Sequence, residues 1–343
     1  MARRDLIVVG GSAGAHAALR SILARLPVDL PAAVLVVTHL APGPRSALAD
    51  MLATSSALPV VTAVDGERVR PGRVYVAIPD RHLLIGAGDV MRFSAGPREN
   101  RVRPAVDTLF RAAARWAGPR VIGVVLSGSL DDGAAGLAAV VEQGGAALIQ
   151  DPREARFPGM PAAALAAVPS AAVAPATDLA RLITQCAGQP AAEAGEADEA
   201  LIWETDMIAD GRTDAGQPQE PIALGCPECR GGMYEVRTGR AVHYVCHVGH
   251  SWSPESFVAA SDDGIEEALW TAVSAMQEKI TVLRGLAAHA ERTGDHDRHR
   301  IYRSEAERVH RDSELVRRRV LGAGRHGQET GRAPADRSVL DPD

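Results

Sequence analysis

A chain of 343 residues with 46% apolar content has room for about two packed domains, but aromatic residues supply only 3%, so alanine, valine and leucine must build the cores. The formal net charge of −6 excludes a broadly basic, nucleic-acid-binding surface. There is no run of about 18 apolar residues, and Met1-Ala-Arg-Arg-Asp5 leads straight into a strand; this excludes a signal peptide, a span and direct membrane insertion, and a cytoplasmic location is expected.

The first predicted strand, Asp5–Gly10, is a short apolar run of the kind buried on both faces of a parallel sheet. Gly10, Gly11 and Gly14 permit a sharp turn into a helix over Ala15–Leu26, with Ser12 at the apex beside the helix's opening N–H groups. Two readings compete: a phosphate-cradling dinucleotide loop, and a nucleophilic serine at the carboxyl edge of the sheet. Ser12 and Ala15 stand where G-x-G-x-x-G needs its second and third glycines, so the loop fails that pattern. Further strands are expected at Val34–Thr38, Val60–Ala63 and Val74–Ile78, and His82–Ile85 with Val90–Phe93 should form a hairpin around Gly86-Ala-Gly88. A helix over Val106–Trp116, a strand over Val121–Leu126, a helix over Ala134–Gln143 and a strand over Ala146–Gln150 complete the alternation. It predicts an α/β fold: a doubly wound, mostly parallel sheet whose ligands bind beyond the carboxyl ends of its strands.

Three of those strand ends carry chemistry. The first leads to Ser12, the second to His39, and the strand ending at Leu126 to Asp132. A serine hydroxyl becomes a useful nucleophile when an imidazole accepts its proton and a carboxylate holds that imidazole in place. His39 also lies where a nicotinamide-binding fold wants an acidic residue for the ribose, which counts against the dinucleotide reading. Singly, Ser12 is a small turn residue, His39 a histidine satisfied by backbone, and Asp132 a cap for the helix from Ala134. Three of them on one sheet edge favour a Ser-His-Asp triad.

From Ala187 to Glu220 nine acidic residues and one arginine, with scattered Gly, Pro and Ala, mark a loosely ordered connector, interrupted by the apolar strip Leu201–Ile208. Then come Cys226-Pro-Glu-Cys229 and, after sixteen residues, Cys246-His-Val-Gly-His250. Two short ligand pairs separated by a hairpin suit a structural zinc ribbon held by Cys226, Cys229, Cys246 and His250; free thiols in a metal-free module are the alternative. His250 is preferred to His247, because adjacent residues seldom ligate one metal in a small knuckle. Cys186 stands apart, so the cysteines form no disulfide framework. Asp262 or Asp263 should cap a helical segment ending near Leu321, with a turn at Thr293–His296 and basic Arg317-Arg-Arg319 suited to a helix end or a partner. The expected divisions are 1–185, an acidic linker at 186–222, the ribbon at 223–258, the helical extension at 262–321 and a disordered tail at 322–343.

The first half resembles the CheB protein-glutamate methylesterase family in Val8-Val-Gly-Gly-Ser-Ala-Gly14, Thr38-His-Leu-Ala-Pro42, Arg103-Pro-Ala-Val-Asp-Thr-Leu-Phe110, Leu126-Ser-Gly-Ser-Leu-Asp-Asp-Gly-Ala-Ala-Gly136 and Gln150-Asp-Pro152 with Met160-Pro161. The resemblance implies Ser12 as nucleophile, His39 as base and Asp132 as orienting carboxylate; Asp131 is the rival, but the family aspartate immediately precedes Gly-Ala. It implies hydrolysis of glutamate methyl esters on chemoreceptors or chemoreceptor-like signalling proteins, deamidation of their glutamines as a second activity, and no cofactor for catalysis. Related modules to the ribbon follow some stand-alone domains of this kind. The family's usual phosphoacceptor domain has no counterpart before Asp5, so control by phosphorylation in cis is not expected.

Two departures stand out. Gly128-Ser129-Leu130 replaces the usual Gly-Met-Gly, which puts the oxyanion-donating loop in question, and Gly11 and Ala15 stand where the family often has Ala and Gly. A catalytically impaired scaffold is therefore the alternative function, and a nucleotide-binding protein a further rival.

Overall fold

The computed structural model describes residues 2–41, 43, 46–193, 195–210 and 220–323. In chain order its first half contains β1 (Leu6–Gly11), α1 (Ala15–Leu23), β2 (Ala33–Thr38), α2 (Leu48–Ala53), β3 (Val60–Thr62), β4 (Val74–Val76), β5 (His82–Gly86), β6 (Val90–Ser94), α3 (Val106–Ala117), β7 (Val121–Val125), α4 (Ala134–Glu142), β8 (Ala146–Gln150), α5 (Gly159–Ala167), β9 (Ala172–Ala174) and α6 (Ala176–Cys186). Seven strands form one parallel sheet in the order β3-β4-β2-β1-β7-β8-β9, and β5 with β6 makes a separate antiparallel hairpin. This is the expected doubly wound α/β architecture.

Strand alternation divides the core into two layers. Leu6 and Val8 of β1, with Leu35 and Val37 of β2, pack toward α3 and α4. Ile7, Val9, Val34 and Val36 pack toward α1 and α6. With both faces covered, the strands must be apolar throughout, which is why they appear in the sequence as unbroken runs rather than alternating ones. Chain order reverses at β1, flanked by β2 on one side and β7 on the other; this is the switch point beyond whose carboxyl edge such folds place their sites.

The acidic stretch departs from a loose connector. Residues Glu199–Asp210 form α7, which packs on α3 and buries Leu201, Trp203, Glu204 and Met207. The chain continues into an antiparallel sheet of β10 (Pro221–Gly225), β11 (Gly232–Thr238), β12 (Ala241–Cys246) and β13 (Ser251–Trp252). This small sheet belongs to the same compact unit as the large one, spanning Met1–Val258, and it rests on α4.

A second unit begins at Ala259 and contains the rest of α8 (Pro254–Arg292) and α9 (His296–Ala323). Ile280 and Leu283 meet Ala306 and Val309 along the seam of this helical hairpin, and Lys279 Nζ lies 2.9 Å from Glu305 Oε1. The turn falls at Thr293–Asp295, with Gly294 at φ 75°. Asp262 and Asp263 do not cap α8, which begins eight residues before Asp262. The cap is Ser253, whose Oγ accepts the Ser256 N–H at 3.0 Å, with Pro254 opening the helix. The tail from 324 onward lies outside the described residues. No helix among the described residues is long and apolar enough to cross a membrane.

Candidate active site

Register brings Ser12 and His39 to adjacent positions. Gly11 of β1 pairs with Thr38 of β2, so the next residue on each parallel strand is Ser12 and His39 respectively. On its other side Ser12 donates its N–H to Ser127 O at 2.9 Å, joining the turn to the loop after β7. Gly14, at φ 78°, opens α1 in the left-handed conformation that glycine adopts without penalty.

Asp132 is 2% exposed, and three N–H groups converge on it. His39 Nε2 lies 2.7 Å from Oδ2, the Val106 N–H donates to Oδ2 at 2.8 Å, and the Asp107 N–H donates to Oδ1 at 3.0 Å. Asp132 therefore does not cap the helix that follows it. It caps α3 across the fold, while α4 starts at Gly133 without a side-chain cap. Burial presses its pKa upward, but the His39 hydrogen bond and the two backbone donors outweigh that and hold the carboxyl below its ordinary 3.8. Asp132 is thus an ionised acceptor, and the Nε2 edge of His39 is committed to it, leaving Nδ1 free of that bond.

The Arg103–Phe110 segment is legible residue by residue. Arg103 pins the approach through Asp80 Oδ1 at 2.7 Å and the carbonyls of Ala95 and Gly96 at 2.7 Å. Val106 and Asp107 supply the donors to Asp132. Asp107 turns its own carboxylate to the Gly136 N–H at 2.6 Å, tying α3 to α4. Thr108 Oγ1 lies 3.2 Å from His82 Nδ1, and His82 Nε2 donates to Pro97 O at 2.9 Å. Burial lowers the His82 pKa to about 4, so it is a neutral brace rather than a second base.

The Gly11 and Ala15 departures explain each other. A Cβ built on Gly11 would lie 2.5 Å from the Ala15 Cβ, so only one of the two positions can carry a methyl group. Exchanging Ala and Gly between them keeps the contact filled and leaves the turn unchanged.

The Leu130 departure carries a cost. Leu130 sits at φ 59° with its side chain 48% exposed, a left-handed conformation that costs an L-residue about 1–2 kcal/mol. The loop keeps its course because Gly159 packs flat against the Leu130 backbone and the Gly128 N–H donates to Phe157 O at 3.0 Å. A Cβ on Gly128 would stand 3.0 Å from the Ser12 Cβ, so this loop lies directly beside the serine. Among the described residues the Ser129 N–H has no hydrogen-bond partner, which leaves it available to an oxyanion.

The second cluster lies in the small sheet. Ligand atoms of Cys226, Cys229, Cys246 and His250 all fall within 4.8 Å of one another, and His250 rather than His247 is the histidine among them. Cys229 and Cys246 sulfurs are 3.6 Å apart and the Cys246 sulfur lies 3.5 Å from His250 Nδ1. Tetrahedral donors at the usual zinc distances stand roughly 3.5–3.8 Å apart, so the set fits that ion. Cys226 and Cys229 sit on the turn between β10 and β11, Cys246 ends β12, and His250 lies on the turn before β13.

Sequence reasoning missed a buried charged group that joins the two sheets. Arg111 of α3 pairs with Glu99, its Nε lies 3.8 Å from Glu204 of α7, and Glu204 pairs with His243 of β12. All four are nearly inaccessible to solvent. Burial works against the Arg111 charge, but Glu99, Glu204 and Asp107 together hold it protonated. Arg111 and Glu204 lie 93 positions apart, and only the fold reveals the pairing.

A sequence profile described as CheB methylesterase matches residues 7–183. A protein-glutamate methylesterase/protein-glutamine glutaminase of Xanthomonas euvesicatoria pv. vesicatoria is 43% identical over 162 residues, covering 46% of this chain and 45% of that protein. A protein of the same description from Burkholderia pseudomallei is 41% identical over 181 residues, covering 52% and 50%. The chain thus spans about half the length of the curated relatives it matches. The crystal structure of the Thermotoga maritima CheB methylesterase catalytic domain is similar with a TM-score of 0.52 and 32% identity, covering 54% of this chain and 99% of that one.

Proposed function

Since the chain belongs to the CheB methylesterase family, we propose that it hydrolyses glutamate methyl esters on a methylated chemoreceptor or a related signalling protein, with Ser12, His39 and Asp132 as its triad. The observation that carries this reading is the Asp132 carboxylate, buried and ionised at the N-terminus of α3, with His39 Nε2 at 2.7 Å. Ser12 Oγ attacks the ester carbonyl and His39 takes its proton at Nδ1. The Ser129 N–H faces the developing oxyanion. Collapse of the tetrahedral intermediate breaks the C–O bond, and His39 returns the proton to methanol as it leaves. Water, deprotonated by His39, then attacks the acyl-serine and releases the glutamate carboxylate and Ser12. A glutamine side chain follows the same course with ammonia as the leaving group. An assay that follows methanol and ammonia from paired methyl-ester and glutamine forms of one receptor fragment tests the reading and separates the two activities.

The left-handed Leu130 favours the scaffold alternative only if strain displaces the Ser129 donor, and the loop's bonds to Phe157 and its contact with Gly159 oppose that displacement.

The Cys226, Cys229, Cys246 and His250 set is read as a structural zinc site, since four protein donors leave no open position for catalysis. Zinc would supply folding free energy to the small sheet. Elemental analysis is expected to find one zinc per chain, retained by wild type and lost in Cys229→Ser together with protection of β10–β13 from hydrogen exchange. Retention of full protection in the metal-free variant contradicts the assignment.

A further inference from the structure

The small sheet is attached to the catalytic loop itself. Where β13 runs past the segment before α3, Glu99 bridges to Ser251, the Asn100 N–H donates to Ser251 O at 2.8 Å, and Asn100 Oδ1 accepts the Ser253 N–H at 2.8 Å. Ser253 then donates its hydroxyl to Asp131 Oδ1 at 2.6 Å. That hydroxyl has one proton, which it gives to Asp131, and it accepts the Ser256 N–H that it caps at 3.0 Å. Asp131 and Ser253 are both buried, at 8% exposure.

We propose that Asp131 is a positioning residue: through Ser253 it fastens the loop bearing Asp132 to the end of the Cys/His module, so the folded module sets the alignment of Asp132 against His39. The proposal rests on the triad reading for what that alignment is used for. Asp131 and Asp132 are consecutive and face opposite ways, one to the module and one to His39, so a shift at one is passed to the other through a single peptide unit. The buried Arg111 group holds the same two bodies together from the far end of the segment, through Glu99 next to Asn100. Asp131 faces Glu255 of α8, feels the charge of its neighbour Asp132, and shares a cavity of about 330 Å³ with Glu99, Asp107, Arg240 and His243. Burial first, then the Glu255 hydrogen bond, push its pKa up to about 7. The raised value goes with the burial of Asp131 under the module.

Three full-length proteins test this: wild type, Ser253→Ala and the conservative Ser253→Thr, which keeps the hydroxyl. One readout is the rate at which a fluorophosphonate phosphonylates Ser12 with loss of fluoride, which depends on the triad and not on the physiological substrate. The other is the ring-proton resonance of His39 bonded to Asp132 in ¹⁵N-histidine-labelled protein. With zinc content unchanged, Ser253→Ala is expected to slow phosphonylation about ten-fold or more and to move the His39 resonance, because a small misalignment of a catalytic hydrogen bond is costly. Ser253→Thr is expected to restore both. Wild-type rate and resonance in Ser253→Ala overturn the proposal. Normal labelling of wild type without methanol release removes the receptor substrate and leaves the positioning role standing. Should wild-type Ser12 not label, the triad reading falls, and the His39 resonance alone decides whether Asp131 positions Asp132. If Ser253→Ala does not fold, Asn100→Ala, which cuts the neighbouring bond to the Ser253 N–H, is expected to give the smaller change of the same sign; no change there overturns the proposal.

Discussion

Asp132→Asn is expected to lower kcat about 10⁴-fold with little change in KM, the loss seen when a Ser-His-Asp triad keeps its shape but loses its carboxylate. The local geometry makes the loss unavoidable. Three N–H donors, from His39, Val106 and Asp107, point at the two carboxylate oxygens. An amide offers one acceptor and one donor, so in either orientation its NH₂ meets at least one N–H head-on, and His39 is tempted into the opposite tautomer. The opposed donors also cost about 1–3 kcal/mol of stability, measurable as a lower urea midpoint. The carboxyl titrates below its ordinary 3.8 in the folded chain. Its contribution to stability is therefore complete above that value and lost as pH falls through the lower folded one. A kcat within about ten-fold of wild type would mean that Asp132 caps α3 and does nothing more.

Arg111→Leu carries the largest expected loss of stability, about 3–5 kcal/mol, because it strands Glu99 and Glu204 as buried carboxylates without their cation. The deficit should depend on pH with a definite sign. In wild type Glu204 sits below its ordinary 4.5, although burial opposes it, because His243 and Arg111 stabilise its charge. Without Arg111 the Glu204 carboxyl loses one of the two charges that hold it down, so its folded value rises. A raised folded value gives stability that is present below the unfolded pKa and disappears as pH rises through the folded one. Urea unfolding of the variant is thus expected to reveal a larger deficit at pH 8 than near pH 4.5. A deficit under about 1 kcal/mol at both would contradict the role assigned to the group.

The catalytic edge was legible because its strands are buried on both faces. An unbroken run such as Leu6–Val9 or Ala33–Val37 has few other places to go, and the residue after each run falls on the carboxyl edge. The Cys/His cluster was legible for a different reason, since the spacing within Cys226–Cys229 and Cys246–His250 is a local property. What joins them was not. Glu204 stands in an acidic stretch whose composition resembles a solvated linker; its burial depends on Arg111 and His243, which sequence distance hides. The start of α8 is hidden for a lesser reason: Ser253-Pro254 is a sound N-terminal signal, but in the sequence it lies inside the cysteine-histidine module. The sequence offers Asp132 only the helix that follows it to cap, whereas in the fold it caps a helix that starts 26 residues upstream.

The most direct measurement is methanol release from a methylated chemoreceptor fragment by the zinc-loaded full-length chain, compared with Ser12→Ala. Release by wild type, reduced to the uncatalysed level in the variant, is the predicted result. Equal release by both, or none by a wild type that is folded and metal-loaded, would contradict the assignment of Ser12 as an esterase nucleophile acting on such receptors.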